Sequence, residues 1–422
     1  MKKMFLQEKT KKTIKKVVLA YKERRSEAIT SLGFSEDEYK EKVASLRSKV
    51  FKDFEERLKT AKSNLANRGF IVHEVTNKKE AQTLLDKILD KKEKIIKAKT
   101  NTGREIGLES FLKRSGRQFS ETDLGDYIAD MFQSEDMHYV LPAIHITPEE
   151  ISLKIKDRWQ DDVVAEEESL THYLCGKIRE NILQADTGIT GANFFTCDGE
   201  VLLLENEGNI SLVSRLPKKH IIICGIDKIT ANVSDAVDLC QTAAIFGTGQ
   251  RITQYVSIIS GPSKTADIQN KLVVGAQGAQ EVHLILIDNG RRRMIEEGFG
   301  DILRCINCGA CINFCPVYHQ IGSCYGGEKY IGSKGLVFSF FNDSLDEVVK
   351  KGNFKCTLCG NCLENCPMKI DLPDMVRKIR RIQSKRKNQT AQNTKMISTI
   401  DKFGNPFGKI DGQKTPDKLY CC

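Results

Sequence analysis

Eight of the fifteen cysteines in this 422-residue chain fall into two copies of one spacing: Cys305-x2-Cys308-x2-Cys311-x3-Cys315-Pro316 and Cys356-x2-Cys359-x2-Cys362-x3-Cys366-Pro367. Three thiolates at i, i+3 and i+6 on a tight turn wrap one face of a compact cubane. With a fourth cysteine followed by proline, this is the bacterial run that binds [4Fe–4S] clusters. Two copies predict two clusters and a protein that moves single electrons. In two-cluster proteins of this kind the fourth cysteine of each run serves the other cluster. The expected ligand sets are therefore Cys305, Cys308, Cys311 and Cys366 for one, and Cys356, Cys359, Cys362 and Cys315 for the other. The prolines stop a helix from running through the site. Gly309 and Gly360 let backbone amides approach the sulfides, a contact that tunes potential. The competing reading is structural zinc, but zinc arms are Cys-x2-Cys pairs with a long spacer, and here the third and fourth cysteines crowd in twice. Disulfides fit less well, since no secretory signal is read at the start.

The elements that position these motifs follow from composition and pattern. Hydrophobic content of 40% and charged content of 29% are ordinary for a soluble chain long enough for two or three domains. No apolar run reaches about 18 residues, so no transmembrane helix is expected, and the basic start lacks the apolar stretch of a signal peptide. A cytoplasmic location follows, with peripheral membrane contact as the alternative. The net charge of +9 comes largely from lysines at the two ends, read as solvated helix faces ahead of an acidic partner or a membrane surface. No nucleic-acid motif is present.

Four regions are expected. Residues 1–65 form an N-terminal helical region, with Val43, Leu46, Val50, Phe54 and Leu58 as a core-facing stripe. Residues 66–295 alternate short apolar runs (70–72, 139–141, 201–204, 221–223, 255–259, 282–287) with helical stretches such as 80–89, which predicts an α/β domain with a largely parallel sheet buried on both faces. Residues 296–383 form the α-helical two-cluster domain, with a helix over 344–351 between the motifs. Residues 384–422 read as a flexible tail, ending in Cys421-Cys422.

The α/β segment carries a set of motifs in order: Glu121-Thr122-Asp123-Leu124-Gly125-Asp126-Tyr127-Ile128, Leu141-Pro142-Ala143-Ile144-His145, Asp186-Thr187-Gly188-Ile189-Thr190-Gly191-Ala192-Asn193-Phe194, Glu205-Asn206-Glu207-Gly208-Asn209, Gly247-Thr248-Gly249-Gln250, and Gly261-Pro262-Ser263-Lys264-Thr265-Ala266-Asp267-Ile268. Ahead of a double cluster motif, these resemble the lactate utilisation protein B family of LUD-domain iron–sulfur proteins, over about residues 45 to 380. The resemblance implies a LUD fold similar to the sugar-phosphate isomerase and CoA-transferase fold. It also implies a part in oxidising L-lactate, or a similar 2-hydroxy acid, to pyruvate. The implied partners are a cysteine-rich iron–sulfur protein and a second LUD protein.

Two stretches depart from the family. Where it carries Lys-Ser-Lys-Ser-Met and Glu-Glu-Ile, this chain has Lys97-Ala98-Lys99-Thr100-Asn101 and Arg104-Glu105-Ile106. Its C-terminal region is shorter and carries Gly404-Asn405-Pro406-Phe407-Gly408, which resembles a connector in heterodisulfide-reductase-like proteins. The alternative function is therefore an electron relay docked to such a partner, or to a flavoprotein, with the LUD domain as scaffold.

Outside the cysteines, the candidate substrate residues are Lys99, Glu105, His145, Gly191, Asn193, Glu205, Gly249 and Ser263. The loops at 188–193, 205–209 and 247–250 are expected to gather at the carboxyl edge of the sheet, where α/β folds bind ligands, although each loop alone also suits plain backbone geometry. The stretch from Gly261 to Thr265 lacks the spacing of a P-loop and is read as a helix start with Ser263 or Thr265 near the N-cap. His73, His220 and His283 read as structural residues. Cys175, Cys197, Cys224 and Cys240 read as small core residues, and Cys324 as a liner of the cluster region. No flavin site is read, because no Gly-x-Gly-x-x-Gly turn stands between a strand and a helix.

Overall fold

The computed structural model describes residues 5–134, 137, 142–327 and 329–410. The proline-free, lysine-rich start folds into three helices, α1 (Glu8–Thr30), α2 (Glu36–Lys52) and α3 (Phe54–Asn67). A capping box starts α2: Ser35 accepts from the Glu38 amide while the Glu38 carboxylate accepts from the Ser35 amide. Val43, Val50, Phe54 and Leu58 are all buried, so the predicted stripe runs on through the break at Asp53.

Among the described residues, twelve strands follow: β1 (Ile71–Val75), β2 (Ile95–Lys97), β3 (Phe119–Glu121), β4 (Thr187–Gly191), β5 (Phe194–Thr196), β6 (Val201–Glu205), β7 (Lys219–Gly225), β8 (Ile229–Thr230), β9 (Tyr255–Ile259), β10 (Lys264–Thr265), β11 (Val273–Val274) and β12 (Glu281–Ile287). Six of them make one sheet in the order β1-β12-β7-β4-β2-β3, every neighbouring pair parallel. On one face Ile189, Ile221, Ile223, Ile285 and Ile287 pack against Leu85, Leu108 and Leu112. On the other, Ile222, Cys224, Leu284 and Leu286 pack against Leu58 and Leu65 of α3. Burial on both faces is why β7 and β12 read as unbroken apolar runs rather than alternating ones. Each such side chain contributes about 1.5–3 kcal/mol. The apolar runs at 201–204 and 255–259 instead form β6 and β9 of a separate four-stranded sheet, β8-β5-β6-β9, and pair antiparallel.

Two sequence expectations are corrected in this region. The stretch from Gly261 does not begin a helix: Lys264 and Thr265 form β10, paired antiparallel with Val273 and Val274. Its backbone is held by Ser263, whose amide donates to the Ala279 carbonyl at 2.9 Å and whose carbonyl accepts from the Gly275 amide at 2.7 Å, leaving nothing to propagate a helical turn. Cys175 is exposed rather than a core residue, while Cys224 and Cys240 are buried. The expected strand at 139–141 and the terminal Cys421-Cys422 lie outside the described residues.

The cysteine-rich region is built from short helices, with Ser344 capping the helix Leu345–Lys350 and with a buried helix, Gly332–Asn342, beside it. One apolar core joins α1 and α2 (Ile29, Tyr39, Val43), the α/β segment (Phe194, Leu239, Phe246) and the cysteine-rich region (Ile302, Met375, Ile379). Fully buried Arg47 of α2 ties the same three parts. Its guanidinium donates to the carbonyls of Asp227, Ile229 and Leu303, the last at 2.8 Å, and to that of Arg304 at 3.2 Å. The tail, expected to be flexible, carries a helix, Ala391–Phe403, that buries none of its side chains. Among the described residues, no helix is long and apolar enough to cross a membrane.

Candidate functional site

In the main sheet the chain steps from β2 outward to β3, then returns to β4 and proceeds the other way through β7 to β12. The order therefore reverses between β2 and β4, and the crevice at their carboxyl ends is where an open α/β sheet takes a ligand. A cavity of about 290 Å³ lies there, lined by Lys99, Gly191, Asn193 and Glu205 among others. Lys99 leaves β2 just after Ala98 donates its amide to the Ile189 carbonyl at 2.8 Å. The Thr100 hydroxyl oxygen then accepts from the Gly103 amide at 3.1 Å and starts a short helix. A Cβ at Gly191 would stand 2.8 Å from that hydroxyl, so only glycine lets the two loops close together. Asn193 accepts from the Leu204 amide at 2.9 Å, and Glu205 accepts from the Ser211 amide at 2.9 Å.

The cavity wall is rich in carboxyls. Burial pushes Glu207 up to about 7, helped by neighbouring Asp123. Burial also raises Asp123, against the pull of Lys99. Asp126 lies behind Lys99 and lines a neighbouring cavity; burial acts to raise it, but Arg104, Lys99 and Lys97 outweigh that and hold the carboxylate low, with Lys99 Nζ 3.1 Å from Asp126 Oδ1. Deeper in, buried Lys228 donates to the Cys305 carbonyl at 2.9 Å, and desolvation lowers its pKa. The far wall comes from the cysteine-rich region: Ile306, Asn307 and Cys308.

Behind that wall the eight motif cysteines ring two further cavities. Cys305, Cys308, Cys311 and Cys366 line one, and Cys315, Cys356, Cys359 and Cys362 line the other. The loops repeat each other closely: Asn307 and Leu358, at matching positions, both take positive φ (61° and 55°), as do Gly309 and Gly360 (84° and 87°). Amides reach the sulfurs, Asn307 N–H to Cys305 Sγ at 3.4 Å and Ile370 N–H to Cys366 Sγ at 3.5 Å. Burial pushes Cys311 well above the usual thiol range, and Cys305, Cys308, Cys362 and Cys366 push it further. Burial acts on Cys305 in the same sense, but Lys334 and Lys228 outweigh it and lower that thiol. Four cysteine sulfurs around each of the two spaces are the donor set that an iron–sulfur cubane takes once its ligands are thiolates. Among the described residues, no three His, Cys, Asp or Glu side chains close tightly enough to grip a single ion.

The other sequence candidates lie elsewhere. Glu105 is buried against Arg291, with both carboxylate oxygens accepting from its guanidinium at 2.8 and 2.9 Å, and it also accepts from Tyr330 at 2.9 Å. His145 lines a separate cavity, its Nε2 2.7 Å from the Ser134 hydroxyl. Gly249 is the left-handed cap of the helix Val233–Thr248. Ser263 belongs to the β10 turn. His220 is buried and bonded to Thr190 at 2.8 Å, and His73 pairs with His283 at 3.0 Å. The sequence reading passed over Glu207, Lys228 and Lys334. Glu207 stood inside a quoted loop, but nothing local marks the two lysines.

Residues 58–287 match the LUD domain family and residues 301–370 match the 4Fe-4S dicluster domain family. "Lactate utilization protein B" of Bacillus velezensis is 35% identical over 361 residues, covering 85% of this chain and 74% of that one. The protein of the same name from Bacillus subtilis is 34% identical, covering 85% and 73%. The "Uncharacterized electron transport protein YkgF" of Escherichia coli is 32% identical, covering 86% and 75%. A crystal structure of a DUF162 family protein from Deinococcus radiodurans covers 56% of this chain and 98% of its own at 13% identity and a TM-score of 0.31, too weak a likeness to bear on the fold. Fold, cysteine cavities and family matches together define a LUD-domain iron–sulfur protein. The chain belongs to the lactate utilization protein B family.

Proposed function

We propose that this chain is the electron-transfer subunit of an assembly that oxidises L-lactate, or a similar 2-hydroxy acid, to pyruvate, and that it holds two [4Fe–4S] clusters in the crossed pairing. The observation that carries this is the double placement of Cys308, which lines both the sheet-edge cavity and the first cysteine cavity. A small acid in the crevice would lie beside a cluster ligand. The sheet-edge position also suits a fold of the sugar-phosphate isomerase and CoA-transferase kind. Lys99 offers the cavity a cation, and Glu207, with its pKa near 7, can hold or release a proton beside the bound acid. Cys305, Cys308, Cys311 and Cys366 hold the proximal cluster, and Cys315, Cys356, Cys359 and Cys362 the distal one. When bound, the clusters supply two one-electron acceptors in series. Oxidising an alcohol to a ketone releases two electrons and two protons together, so the step that breaks the C–H bond belongs to a partner with a two-electron acceptor. The family points to a cysteine-rich iron–sulfur protein and a second LUD protein.

The test is anaerobic. The chain is purified alone, its clusters are shown to bleach with dithionite, and L-lactate is added to the oxidised form while visible absorption and EPR are followed. No bleaching until a partner is added supports the relay. Rapid reduction of the lone chain would place the whole catalytic site here and overturn it.

A further inference from the structure

We propose that the face around Cys359 is the docking site for an acidic electron-carrier protein, recognised by the basic flank of the helix Leu372–Lys385. This rests on the reading that Cys315, Cys356, Cys359 and Cys362 hold the distal cluster.

Three observations meet at this face. Of the eight motif cysteines, Cys359 is the exposed one; the other seven are partly buried. Electrons therefore leave most directly here, at a cysteine that does not line the sheet-edge cavity. The helix Leu372–Lys385 is fixed to this rim. Pro373 lines the distal cavity, Val376 packs in a cluster with Cys356 and Leu358, and Arg380 donates to the carbonyls of Cys356 at 2.6 Å and Asn353 at 2.7 Å. Finally, residues 377 to 387 hold seven Lys and Arg and no acid. Arg377 and Lys378 share Asp374, at 3.7 and 3.1 Å. Arg381, Lys385, Arg386 and Lys387 are exposed, and no salt bridge joins them to a carboxylate among the described residues.

Unpaired basic charge on a helix anchored beside an exposed redox ligand steers a negatively charged partner, setting association rate and salt dependence more than final affinity. An anionic membrane would feel the same charge but accept no electron, whereas the flank is pinned to the peptide of a cluster ligand. That rigidity is what a redox docking face requires, and it favours a protein carrier over a lipid surface.

The experiment uses the full chain with its clusters reconstituted and photoreduced, mixed in a stopped-flow instrument with oxidised flavodoxin as the acidic carrier. Cytochrome c serves as the basic carrier and a neutral water-soluble quinone as the small acceptor. The same is done with the triple variant R381E/K385E/R386E. The expected result is fast reoxidation by flavodoxin that slows with added salt, and a rate about tenfold or more lower in the variant at low salt, with the quinone rate and the cluster absorption unchanged. A flavodoxin rate indifferent to salt and to the variant overturns the proposal, as does faster reoxidation of the wild-type chain by cytochrome c than by flavodoxin. So does loss, in the variant, of binding to phosphatidylglycerol vesicles alone, with the flavodoxin rate intact. Absence of a cubane spectrum in the wild-type chain defeats the cluster reading itself and is seen before any carrier is added.

Discussion

Replacing Lys334 by methionine should lower the reduction potential of the proximal cluster and leave the distal one where it is. Lys334 is buried on the helix Gly332–Asn342 and lines the Cys305–Cys366 cavity but not the other. Its ammonium lies 4.3 Å from the Tyr330 ring centre and 5.2 Å from that of Phe338 and donates to the Asn307 side-chain oxygen. Reduction adds one negative charge to the site, and a fixed cation stabilises that state. At about 6 Å and an effective dielectric of about 20, the interaction is ~2.8 kcal/mol. At about 1.4 kcal/mol and 59 mV per tenfold for one electron, that is ~120 mV. Methionine keeps the packing against both rings while removing the charge, and Lys334→Arg should stay near the wild-type value. The assay is an anaerobic potentiometric titration read by EPR, which resolves the two clusters. A proximal shift below about 30 mV, or an equal shift of both clusters, would refute the argument that this ammonium acts on one cluster by proximity.

Three other outcomes follow from the same geometry. Cys366→Ser should remove the cluster of the first motif and spare that of the second, although Cys366 stands in the second; loss of the distal EPR signal instead would disprove the crossed pairing. Glu105→Gln leaves buried Arg291 with Asp227 as its remaining carboxylate partner and should cost about 3 kcal/mol in urea unfolding; a change under about 1 kcal/mol would mean that the network relaxes freely. Burial holds Glu207 neutral until about pH 7, so an organic anion should bind best below that pH and lose affinity as the carboxylate forms above it. Glu207→Gln should flatten this profile in calorimetric titrations with lactate, and an unchanged pH dependence would remove Glu207 from the pocket chemistry.

Much of the chemistry was written locally. The cysteine spacing is itself the ligand geometry, because i, i+3 and i+6 on a tight turn wrap a cubane whatever surrounds them. The apolar runs of β7 and β12 were legible for a similar reason, since a strand buried on both faces has no alternation to hide it. β2 and β3 were not, being three residues each and too short to show a period. The tail helix Ala391–Phe403 was passed over because its polar sequence resembles that of a flexible segment.

The sequence by itself therefore carried the iron–sulfur motif, with two clusters in crossed pairing as the expectation, and the parallel α/β class, all of which depend on residues near one another or on simple periods. Tertiary structure decided which candidates share a cavity. Glu105 stands six residues from Lys99 yet turns inward to neutralise Arg291, while Cys308, more than two hundred residues from Lys99, closes the same pocket. Proximity of that kind is set by how a shared core draws the N-terminal helices, the sheet and the cysteine-rich region together. Apolar burial is non-directional, so composition shows that such a core will form without showing which polar loops it brings face to face.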